Sequence, residues 1–128
     1  MTEENQDLDF IKQARSLVEK IGSKLGHDAI KETKQLCKKD LAIIIWGANN
    51  NSTNGYNYDT AYLVWKNKNE LKNRILADSK GTKEYIHIKD IVENGEDIFV
   101  KLGYTDPALE SKYKYNKESK YRIKKKEL

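Results

Sequence analysis

The 128 residues, 38% apolar and 34% charged, with a mean hydropathy of -0.87, suffice for one modest domain with a small core. The longest uncharged apolar run, residues 41–46, is too short to cross a bilayer, residues 1–7 are polar and unlike a secretory leader, and Cys37 has no disulfide partner in the chain. A cytoplasmic setting follows as the expectation, and two His with one Cys fall short of a four-ligand zinc site, so no metal or cofactor is expected.

The net charge of +4 is unevenly placed. Residues 111–128 hold eight Lys or Arg against Glu118 and Glu127, whereas residues 1–110 hold 16 basic groups against 18 acidic ones. A slightly acidic domain thus carries a basic C-terminal segment.

In chain order, Leu8, Ile11, Ala14, Val18, Ile21 and Leu25 recur every three or four residues, the stripe of an amphipathic helix capped by Asp7. Gly22 and Gly26 weaken its end. Asp28 can cap a second helix with Ala29, Ile30, Thr33, Leu36 and Cys37 on one face, so residues 7–39 are expected to form a helical pair, with a single kinked helix as the alternative. The apolar stripe is also a candidate dimer surface, so a homo-oligomer is an expected partner state. Residues 41–46 are apolar on both alternating faces, as in a central strand covered on both sides. A polar loop follows, and Ala61-Tyr62-Leu63-Val64-Trp65 forms the next strand.

Residues 67–79 read either as a helix begun by Asn67 and Glu70 or, preferred, as a hairpin turning at Asn67-Lys68-Asn69, with Leu71, Asn73, Ile75 and Ala77 on one side. The final hairpin turns at Asn94-Gly95. A three-residue loop, Glu93-Asn94-Gly95, collects apolar residues on one face by pairing Ile88 with Val100 and Ile86 with Leu102, and sets His87 beside Lys101. After Pro107 few apolar residues remain to offset ordering entropy, so the segment from residue 110 is expected to be a disordered basic tail. The expected fold is α+β: a single domain, residues 1–109, in which the helical pair (about 7–39) packs on a four- or five-stranded antiparallel sheet (about 41–103).

Three groups of residues carry candidate chemistry. In the tail, cations alternate with phenols: Lys112, Tyr113, Lys114, Tyr115, Lys117, Lys120, Tyr121, Arg122, Lys124, Lys125 and Lys126. Ammonium groups neutralise phosphates and phenol rings stack on unpaired bases. With 21 Lys against 3 Arg in the chain, the contact suits DNA or RNA backbone without base readout. The leading function is therefore a small non-enzymatic accessory protein whose tail meets nucleic acid. The polar loop at residues 49–60 is the second group: Asn54, Tyr56, Tyr58, Asp59 and Thr60 supply the amides, hydroxyls and rings of a small-ligand site on a rigid sheet.

The third group is Asp59 followed by Glu70-Leu71-Lys72. This order resembles that of metal-dependent nucleases of the restriction type, and the resemblance implies a divalent cation held by Asp59 and Glu70 with Lys72 positioning water. It requires all three to meet on neighbouring strands. A protein-inhibitor or adaptor role is a further alternative. His87 has no carboxylate partner in the expected register, and the phosphate-loop, dinucleotide and serine-hydrolase motifs are absent from the sequence.

Overall fold

A computed structural model describes residues 3–24, 29–36, 40–47, 58–80, 84–105 and 117–128. One helix, α1 (Glu3–Lys24), precedes seven strands: β1 (Ala29–Leu36), β2 (Leu41–Gly47), β3 (Asp59–Asn67), β4 (Glu70–Asp78), β5 (Tyr85–Asn94), β6 (Asp97–Thr105) and β7 (Lys117–Lys124). The first four form one antiparallel sheet in sequence order, and the last three form a second. The α+β expectation with antiparallel pairing holds. The helical pair does not, and two sheets replace the single one.

β2 explains the layering. All seven of its residues are buried, because each face meets a different neighbour. Leu41, Ile43 and Ile45 join Ala61 and Leu63 against the second sheet, where Ile98, Val100, Leu102 and Ile123 complete the core. Ala42, Ile44 and Trp46 point the other way, towards Phe10, Ala14 and Val18 of α1. A four-stranded sheet is thus sandwiched between a helix and a three-stranded sheet. Of the stripe proposed for dimerisation, Ala14 and Val18 are buried inside the molecule and Ile11 and Ile21 partly so, while Leu25 lies outside the described residues.

Close approach of α1 depends on one glycine. A Cβ at Gly22 would lie 1.4 Å from Nε1 of Trp46, whose ring is buried. Gly22→Ala is therefore expected to cost about 2–3 kcal/mol, since an overpacked core must displace the indole. Urea denaturation followed by tryptophan fluorescence measures it.

The segment expected as the second helix is β1. A central strand needs a partner on each side, and β1 supplies the second, pairing Leu36 with Leu41 and Thr33 with Ile44. Tertiary pairing overrides the weak local preference of Lys- and Glu-rich sequence. A bulge between Ile30 and Glu32 sets Lys31 out of the regular alternation. Cys37 lies outside the described residues.

The β3–β4 hairpin forms as preferred, with Lys68 (φ 51°) and Asn69 (φ 67°) both left-handed, the signature of a tight mirror-image turn. Leu71, Asn73 and Ile75 oppose Lys66, Val64 and Tyr62 as one face, and a register shift between Ala61 and Tyr62 transfers Ala77 to the other.

The β5–β6 register differs from expectation. The turn residues are Gly95, at φ 63°, and Glu96, with Asn94 opposite Asp97. Ile91 faces Val100, a shift follows between Ile88 and Asp90, and Ile88 then faces Leu102 while His87 faces Gly103. The cause is Asp90. An unbroken strand would alternate Ile86, Ile88 and Asp90 into the core, whereas the bulge brings Ile86, Ile88 and Ile91 inward and leaves Asp90 exposed.

The expected tail is, from Lys117 onward, structured. β7 pairs with β6 over its whole length, Ile98 opposite Ile123 and Val100 opposite Tyr121, and Ile123 is fully buried. A short 3-10 turn, Lys125–Glu127, ends the chain. Few apolar residues suffice because β6 offers a ready row of backbone donors and acceptors.

Candidate nucleic-acid interface

Strand ends converge at one pole of the sandwich. Gly47 closes β2, Asp59 opens β3, Ser79 follows β4 and Tyr85 opens β5. Asp59 is 1% exposed. Its Oδ2 accepts a hydrogen bond from the Ile86 amide at 2.9 Å, and its Oδ1 lies 2.9 Å from Nζ of Lys31, which also stands 4.0 Å over the Tyr85 ring. The Asp59 amide donates to Oγ of Ser79, whose hydroxyl donates to the Glu84 carbonyl. A Cβ at Gly47 would come within 1.9 Å of Oδ1, so glycine there is what admits the carboxylate. Burial raises the Asp59 carboxyl above its ordinary value, opposed by the Ile86 amide and by Lys31.

A second carboxylate repeats the contact. Oε2 of Glu32 accepts from the Ile88 amide at 3.4 Å, and Oε1 lies 3.5 Å from Nδ1 of His87. Nε2 of His87 is 3.0 Å from Oγ1 of Thr105. His87 thus has the carboxylate neighbour its sequence context lacks. An acid, imidazole and hydroxyl in sequence is the order of an activated nucleophile, but Thr105 is only 8% exposed. The chain ties β1 to β5 and β6. Together Asp59 and Glu32 cover two outward-facing amides on the free edge of β5, joining the sheets and masking an edge that would otherwise recruit another strand.

The small-ligand set is divided. Asn54 and Tyr56 lie outside the described residues, and Tyr58, Asp59 and Thr60 are all buried. Tyr62, close by, has its phenol pushed up to about 12 by burial. The nuclease-like set is also separated. Asp59 opens β3, whereas Glu70 opposes Asn67 at the other end of the same strand, about 25 Å away by strand rise. Glu70 and Lys72 lie 3.8 Å from one another, both exposed. Among the described residues no cluster of three His, Cys, Asp or Glu could hold a metal.

Of the basic segment, Lys112, Tyr113, Lys114 and Tyr115 lie outside the described residues. β7 sorts the rest by alternation. Tyr121 turns inward, its hydroxyl 3.5 Å from that of Tyr104, so it is no stacking platform. Lys117 lies 3.4 Å from Glu84 and over the Tyr104 ring, and Lys125 lies 3.5 Å from Glu93. Lys120 and Lys126 are exposed and Lys124 half-buried. Arg122 donates to Asp97 at 2.9 Å, which holds the Asp97 carboxyl below its ordinary value.

Lys120 and Arg122 share the solvent face of the second sheet with side chains the sequence reading passed over. Arg122 opposes Phe99, which opposes Val92, and Lys120 opposes Lys101. These residues line a groove of about 540 Å³. Phe99 is 42% and Val92 49% exposed. Glu118 bonds Lys89 and approaches Lys101, and its carboxyl is held down first by the Lys89 bond and then by the positive charge of Lys89, Lys101 and Lys120. The overlooked signal was the phase of β6: Asp97, Phe99, Lys101 and Gly103 form the polar half of the alternation, and an aromatic ring sits within it. Comparison with known proteins adds nothing to this site, for no family model, curated protein or solved structure matches the chain.

Proposed function

We propose that the protein is a small, non-enzymatic intracellular binding protein that contacts nucleic-acid phosphates, without base readout, through its basic C-terminal segment. The observation that carries this reading is the meeting of Lys120 and Arg122 of β7 with Lys101 of β6 on one solvent-facing sheet, extended by Lys124 and Lys126. Cations on a rigid strand are held in register, so they neutralise phosphates with less ordering cost than a mobile tail would incur.

The test exchanges charge without removing backbone. Lys120→Gln, Lys124→Gln and Lys126→Gln combined should weaken binding to a labelled oligonucleotide and reduce the log–log salt slope by about two to three units, at about 0.7–0.9 per lost contact. Fluorescence anisotropy between 50 and 200 mM salt, where phosphate contacts weigh most, measures both. An unchanged slope overturns the proposal.

A further inference from the structure

Resting on that reading, we propose that the ligand is a single strand, laid across the second sheet with an unpaired base stacked on Phe99. The solvent face of this sheet is organised in two rows. Val92, Phe99 and Arg122 lie side by side across β5, β6 and β7, and Asp90, Lys101 and Lys120 form the next row. Same-face rows are about 7 Å apart along a strand and neighbouring strands about 4.8 Å apart. A ring and a planar guanidinium therefore sit beside a pair of ammonium groups, with the exposed Asp90 carboxylate at the end of their row.

The pairing within these rows argues for an anionic, ring-bearing occupant. Lys101 stands directly opposite Lys120, a like-charge cross-strand pair that Glu118 beside Lys101 and Asp90 opposite it offset in part. A phosphate between the two ammonium groups adds a further counter-charge. Phe99 and Val92 keep 42% and 49% of their surface exposed, and a base face would cover the ring. A duplex meets the ammonium row equally well but keeps its base faces inside the stack, so it leaves Phe99 wet. Only a single strand satisfies both rows at once. Arg122, held by Asp97, extends the platform in a fixed plane.

The full chain is titrated with labelled oligo-dT and with a duplex of equal length. Wild type should prefer the single strand. Phe99→Ala should weaken that binding about 5- to 150-fold while leaving duplex binding unchanged, and Phe99→Tyr should retain the preference. Phe99→Leu keeps apolar bulk without a π-face and should behave as Phe99→Ala. The ring is exposed, so thermal melting should give matching transitions for all variants.

Equal affinity for strand and duplex, an equal loss on both in Phe99→Ala, or wild-type behaviour of Phe99→Leu each overturns the stacked-base proposal. Duplex binding that keeps its salt slope would leave the phosphate-contact reading intact. Absence of binding to either ligand removes both.

Discussion

Removing residues 111–128 should unfold the protein's second sheet, not trim a tail from an intact domain. The deletion takes away β7 and with it every backbone partner along one side of β6. It also removes Ile123, fully buried, and the packed rings and chains of Tyr121 and Leu128. Ile123 alone accounts for about 1.5–3 kcal/mol, and the half-buried Tyr121 and Leu128 with the lost pairing of β6 bring the loss to about 4 kcal/mol. That approaches the whole stability of a small domain, about 5–15 kcal/mol. The expected readout is loss of the cooperative thermal transition by circular dichroism, or a melt lowered by about 15 °C or more. A tail-less chain that melted like the full one would show β7 to be dispensable. The same deletion would abolish nucleic-acid binding for a reason unconnected with charge, which is why substitution to glutamine is the proper test of the interface.

Asp59→Ala should be the most damaging single change at the polar pole. It leaves the Ile86 amide without its acceptor and Lys31 without its counter-ion. An unsatisfied buried donor costs about 1–3 kcal/mol. Breaking a buried ion pair costs about 3–5 kcal/mol, but the Lys31 side chain is 25% exposed and can turn to water. A total near 3 kcal/mol follows, a fall of about 10 °C in melting temperature. Asp59→Asn keeps an oxygen for the amide and should cost less.

The two proteins also differ in pH response. Burial raises the Asp59 carboxyl in the folded chain above the ordinary 3.8, so the folded state binds that proton more tightly than the unfolded state. This contribution to stability is complete below 3.8, declines as pH climbs to the raised folded value, and is level beyond it. Asp59→Asn lacks the decline. The stability gap between wild type and Asp59→Asn should therefore be widest at the acid end and narrow as pH rises through that window. Urea denaturation of both proteins at a series of pH values measures it, and a gap that widens with pH would refute the assignment.

What could be read from residues alone depended on whether local pattern and tertiary demand agreed. Residues 41–47 carry their burial in their composition, and β2 is where the sequence places a strand covered on both sides. The turn at Lys68 and Asn69 is likewise local chemistry. β1 and β7 are different. Each is polar and charged, and each is a strand because a neighbour needs pairing: β2 in one case, β6 in the other.

Phe10 lay outside the expected helix stripe, yet with Ala14 and Val18 it forms the buried ridge. The candidate site residues divide in the same way. Basic residues of the C-terminal segment stood out by count, but Phe99 and Lys101 join them only through strand pairing. Asp59 stands out in the sequence for its carboxylate, but its partners Lys31 and Ile86 come from distant segments and no local pattern announces them.

The order of strands has a consequence for how the chain is made. In both sheets every strand is hydrogen-bonded only to strands adjacent in sequence, so each sheet is a meander with no crossover. Pairing between sequence neighbours keeps loop closure local, so such topologies keep the entropic cost of pairing low. During synthesis the first sheet has all its strands once residue 78 has emerged. The helix, made first, has no surface to cover until β2 and β3 follow it. The exposed far side of that first sheet is then the template on which the second assembles. Assembly can thus proceed in the direction of translation, with the C-terminal basic strand arriving last.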